Sequence, residues 1–120
     1  MARTAITAQT PKGPYPGTIS ANLLDITATA GDAGNGNSVA WVGNRMLLTA
    51  RNSGAGARTI TLTSVADART ARSGTITAFS MGAGEYMQFI FERDGWQQSD
   101  GALYIDCEHA EVLLIVSAIP

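Results

Sequence analysis

Cysteine, lysine and histidine each occur once in these 120 residues, as Cys107, Lys12 and His109. A single cysteine excludes an intramolecular disulfide framework and fits folding in a reducing cytosol. A single histidine leaves only His109 as the imidazole base for a Ser–His or Cys–His pair. The one lysine and the seven scattered arginines, within a net charge of -2, form no basic stripe, so nucleic acid is not an expected partner. Aromatic residues are only 7% of the chain and the apolar share leans on alanine, which predicts a thin core such as that between two sheets. No run approaches the roughly eighteen apolar residues of a membrane span. The start, "MARTAITAQTPKGPYPG", lacks the apolar stretch of a signal peptide, so neither membrane insertion nor ordinary export is expected.

The residues that are present describe a globular protein, 45% hydrophobic and 15% charged, of a length that suits one core. Residues 1–17 carry Pro11, Gly13, Pro14, Tyr15, Pro16 and Gly17, and read as an extended arm, either a loose tail or a stiff segment that docks on a neighbour. Residues 18–120 read as the folded domain. There, runs of five to eight residues rich in Thr, Val, Ile and aromatics alternate with clusters of Gly, Asn, Asp and Ser. The predicted strands are "ANLLDITATA", "SVAWVG", "RMLLTARN", "ARTITLTSV", "TITAFSM", "EYMQFIFE", "ALYIDCE" and "VLLIVSAI". The third and fourth are expected to form a hairpin through "SGAG", with Gly54 and Gly56 reversing the chain. In the fourth, Ile60 and Leu62 should face the core. In the sixth, Met87, Phe89 and Phe91 should do so, leaving Tyr86, Gln88, Ile90 and Glu92 on the other face. No segment carries a helical stripe. The expected fold is all-β: an antiparallel β-sandwich, jelly-roll-like or barrel-like, of about eight short strands.

Candidate chemistry is sparse. "DCEHAE", residues 106–111, gathers Asp106, Cys107, Glu108, His109 and Glu111, and Cys107 with His109 has the strand spacing of two soft metal ligands. No second cysteine or histidine completes a tetrahedral set, and Cys107 serves equally as a small core residue with His109 in the following turn. No metal, cofactor or catalytic activity is therefore expected. "GNG" and the two "GAG" pieces lack the strand-to-helix context of phosphate loops and read as turns. The loop "DGWQQSDG" offers Trp96, Gln97 and Asp100 as a sugar platform, against the reading in which Trp96 caps the edge of the sandwich.

Four stretches, "TAQTPKGPYPGTISANLLDITATA", "ARNSGAGARTITLTSVAD", "RSGTITAFSMGAGEY" and "DGWQQSDGALYIDCEHAEVLLIVSAIP", together span nearly the whole chain. In them the chain resembles the small all-β virion proteins of tailed bacteriophages, the capsid decoration (cement) and head-accessory type. The resemblance implies a non-enzymatic structural protein, made in the host cytoplasm, that binds the outside of a capsid and stabilises it. It implies the major capsid protein as partner and a homo-oligomer, often a trimer and less often a monomer. The docking elements expected on this reading are the arm with Pro11, Pro14, Tyr15 and Pro16, and the polar connection with Arg69 and Arg72. Another phage structural module, for head completion, tail assembly or receptor and glycan binding, is the alternative, with Trp96, Gln97 and Asp100 as glycan contacts.

Overall fold

Period-two alternation sets the strands. In "RMLLTARN" the side chains of Met46, Leu48 and Ala50 are fully buried while those of Arg45 and Arg51 are exposed, as a pleated strand requires when one face covers a core. The computed structural model describes residues 2–12, 21 and 24–119. It contains nine strands: β1 Thr4–Ile6, β2 Thr29–Ala30, β3 Asn37–Ala40, β4 Arg45–Asn52, β5 Arg58–Thr63, β6 Ile76–Met81, β7 Tyr86–Glu92, β8 Ala102–Cys107 and β9 Val112–Ala118. They form a five-stranded sheet in the order β1-β3-β8-β5-β6 and a four-stranded sheet in the order β2-β9-β4-β7. The fold is the all-β sandwich expected from the sequence.

The pairing is nested. Antiparallel partners are β5 with β6, β4 with β7, β3 with β8 and β2 with β9, so the chain doubles back on itself about residues 64–75. This long double ribbon is then rolled so that β9 also pairs with β4, and β8 with β5. That is the topology of a jelly roll, which distributes each half of the ribbon over both sheets. Facing side chains fill the space between the sheets: Ile60, Leu62, Leu103 and Ile105 from one, Met46, Leu48, Phe91, Leu114 and Val116 from the other, all fully buried. Each contributes about 1.5–3 kcal/mol relative to exposure.

Three local expectations are corrected. The "SGAG" segment does not close a hairpin, because β4 and β5 lie in different sheets; it carries the chain across the sandwich. Turn chemistry alone does not distinguish the two, since both need a sharp reversal. A Cβ at Gly54 would meet the Glu111 carboxylate, the end of a flexible side chain that would have to move aside. The buried Asn52 fastens this corner: its Nδ2 donates to the carbonyls of Gly56 (2.7 Å) and Met81 (3.0 Å), and its Oδ1 accepts from the Gly54 N–H. Second, of the described residues of "ANLLDITATA" only Thr29–Ala30 is strand, and Leu24 and Ile26 are exposed. β9 offers that segment just two partners, Leu113 and Leu114, so its alternating pattern finds no longer ladder.

Third, the expected arm begins inside the fold. Thr4–Ile6 pairs in parallel with Asn37–Val39, and Ile6 is buried. Gln9 then bridges to Ser117 in the other sheet, its N–H donating to Val116 O (2.8 Å) while its own carbonyl accepts from Ala118 N–H (2.7 Å). Its side-chain amide donates to Thr27 O (2.7 Å) and accepts from Thr27 N–H (2.8 Å), standing in for a missing strand. Arg3 reinforces this flank through Asp106 (2.8 Å) and the Tyr104 ring, 3.9 Å from its guanidinium carbon. A parallel pairing of three residues is hard to read from sequence, because no turn motif announces it.

Candidate docking surface

The double ribbon turns at residues 64–75, which places Arg69 and Arg72 at its apex. That connection is held by its own polar groups. The Asp67 carboxylate accepts from the N–H groups of Arg69 (2.6 Å) and Thr70 (3.1 Å), and these bonds, with help from both arginine charges, hold its pKa below the ordinary value of 3.8. Ala71 N–H donates to Asp67 O, and Ala71 itself sits at φ 56°, a left-handed conformation that a tight turn imposes. The loop after β7 anchors the apex from below: Val65 N–H and Ser64 Oγ donate to Gly95 O (2.8 and 2.9 Å), and Ala68 N–H donates to Asp94 Oδ1 (3.0 Å).

Among the described residues neither Arg69 nor Arg72 forms a salt bridge; Arg72 Nε donates only to the Thr70 hydroxyl (3.1 Å). Between the two loops lies a shallow polar depression of about 290 Å³ lined by Ser64, Asp67, Arg72, Asp94 and Trp96 among others. Beside it, Asn44, Arg93 and Gln97 line a second of about 420 Å³. Arg93 and Asp94 thus join the expected pair Arg69 and Arg72. Sequence spacing could not bring them in, since they belong to the opposite arm of the ribbon.

The sugar platform does not assemble. Trp96 is half-buried with its ring edge-on to Phe91 (4.9 Å) and Phe89 (5.4 Å), so it closes the end of the core. Gln97 faces the second depression, and Asp100 lies against Tyr104 and Arg3 on the other flank. The Tyr104 hydroxyl donates to Asp100, which lowers the Asp100 pKa and raises that of Tyr104. Of the arm, Pro11 is exposed; Pro14, Tyr15 and Pro16 lie outside the described residues.

The ligand-type cluster is divided in the same manner. Cys107 ends β8 inside the core, and burial pushes its thiol up to about 12, so no thiolate forms at neutral pH. His109 lies in the turn beyond, its Nδ1 accepting from Glu111 N–H (3.1 Å). Asp106 pairs with Arg3, and Glu111 with Arg58 (2.9 Å). No group of three metal-ligating side chains is found among the described residues. Exposed large apolar side chains also stand on the outer face of β7, where Tyr86 and Ile90 are 68% and 49% exposed, on the face anticipated from alternation.

Comparison with known proteins finds no matching protein family, no matching curated relative and no matching solved structure.

Proposed function

We propose that the protein is a structural virion protein that binds the outside of a bacteriophage capsid, contacts its major capsid protein and stabilises the shell. The family resemblance in the sequence motivates this reading. The observation that carries it is the apex: a loop held by internal hydrogen bonds presents Arg69 and Arg72 near the Asp67 carboxylate but, among the described residues, in no salt bridge, while Arg3 and Arg58 are spent in internal ion pairs. A loop ordered before binding loses little entropy on docking, and its guanidinium groups suit carboxylates or carbonyls on a partner surface. Many weak contacts repeated over a shell add up by avidity. Pro11 supplies a second contact beside the described start of the arm.

The test mixes purified protein with shells from its source that lack it, sediments them and counts bound copies. Saturation at a number set by shell symmetry is expected, with Arg69→Glu/Arg72→Glu reducing the bound fraction at least about tenfold by reversing both charges. Failure of the folded protein to bind refutes the proposal and favours the tail or glycan-binding alternative.

A further inference from the structure

The two edge strands at the flank opposite Gln9 are β6 and β7, and they are built differently. β6 is broken: its register with β5 shifts between Ile60 and Leu62, and Ala78 sits at φ 51°. Such irregularity is how natural sheets prevent edge pairing. β7 has no such protection. It is seven residues long, pairs in unbroken register with β4, and contains no proline, lysine or glycine.

The direction of its free hydrogen-bonding groups follows from the ladder. Arg93 N–H donates to Asn44 O (2.8 Å) and Asn52 N–H donates to Glu85 O (2.9 Å), which makes residues 85 and 93 inward-bonded positions. Antiparallel alternation then turns Met87, Phe89 and Phe91 toward β4, and leaves the N–H and C=O of Tyr86, Gln88, Ile90 and Glu92 pointing outward. Among the described residues no side chain caps these groups. They form a row of alternating donors and acceptors along an edge of unbroken register.

We propose that this edge pairs with the same edge of a second copy, antiparallel about a twofold axis at Phe89. The register is self-selecting. Centred on Phe89, Tyr86 lies opposite Glu92 of the second copy and Gln88 opposite Ile90, so every outward residue meets an outward residue and all the free groups are satisfied. Centring on Gln88 or Ile90 would leave Glu92 or Tyr86 without an outward partner. The charges agree with this choice: Glu85 comes opposite Arg93 of the second copy. Glu92 of the second copy comes opposite Tyr86, whose ring already carries Arg51 at 5.3 Å. On the inner face, half-buried Phe89 meets its own symmetry mate and Met87 meets Phe91, which extends the core across the junction. The four-stranded sheet thereby becomes one continuous sheet across two chains, and the assembly is a dimer rather than the trimer that the family resemblance implies. This inference is independent of what the apex binds.

The experiment measures solution mass by light scattering over a dilution series, together with amide hydrogen exchange. A species of twice the 12.5 kDa chain mass is expected. In it the amides of Tyr86, Gln88, Ile90 and Glu92 should be protected, and should lose protection as dilution dissociates the dimer. Ile90→Lys should raise the dissociation constant about 100-fold or more. Gln88→Pro removes only an outward N–H and should give a folded monomer by circular dichroism. Phe79→Lys on β6 should leave the dimer intact. A wild-type monomer or trimer, a dimer that survives both β7 variants, or four freely exchanging amides in the dimer would each overturn the proposal.

Discussion

The two flanks of the sandwich end their sheets in opposite ways. At one, β1 and Gln9 run across both sheets, the Gln9 amide imitates a strand toward Thr27, and Arg3 bonds to Asp106. At the other, β6 is broken by a shifted register and β7 has no partner on its outer side among the described residues. A sheet edge is satisfied either from within the chain or from outside it; one flank here is satisfied from within, and the proposed dimer would satisfy the other. The contrast teaches that exposure of backbone, more than exposure of side chains, locates a surface that awaits a partner.

The closed flank should be the costlier to damage. Ile6→Ala removes the one β1 side chain that reaches the core and should lower unfolding free energy by about 3 kcal/mol, read from urea denaturation. Trp96→Ala, at the end of the core near β7, should cost about 2 kcal/mol, because the ring is only half-buried. A smaller loss would mean that Trp96 is free for a ligand. Gln9→Ala deletes two side-chain hydrogen bonds in an exposed setting and should cost about 1 kcal/mol, with faster amide exchange at Thr27 as its local signature.

Acid should loosen the closed flank slightly. The Thr4 hydroxyl, then the Asn35 N–H, holds the Asp32 carboxyl below its ordinary 3.8. A depressed folded pKa gives stabilisation that is present above 3.8 and is lost as pH falls through the lower folded value. The Tm difference between wild type and Asp32→Asn should therefore shrink below pH 3.8. The smallest effect belongs to the open flank. Ile90→Lys should change monomer stability by less than about 0.5 kcal/mol, since the side chain already faces water. A large loss there would show that the edge is structural rather than vacant.

Much of this contrast was hidden in the sequence. Strands with a core on one face declared themselves: the alternation in "RMLLTARN" reproduces β4 from Arg45 to Asn52, and the inward set of β7 follows from the spacing of Met87, Phe89 and Phe91. Pairing did not declare itself. Gly54 looks like the centre of a hairpin, yet its neighbours enter different sheets, because β4 pairs with β7 and β9 while β5 pairs with β6 and β8, all far along the chain. The prolines after Thr10 drew attention away from "TAI", whose three residues gain strand character only from Asn37–Val39. At the apex, Arg69 and Arg72 were legible as exposed charges, but the Asp94 and Gly95 contacts that fix their loop were not. Local propensity is written in neighbours; closure of a sheet is written in residues a hundred positions apart.

The nested ribbon also ranks its pairings by the loop each must close. β5 and β6, separated by the apex, close the shortest loop, and β4 with β7, β3 with β8 and β2 with β9 close successively longer ones. Each later pairing closes a longer loop, but the preceding pair has already drawn its ends together, so the entropic cost is met in small steps. Residue 9 finds its place only when residues 116–118 arrive. Loop length therefore favours pairing from the middle outward, with the first segment of the chain expected among the last to settle.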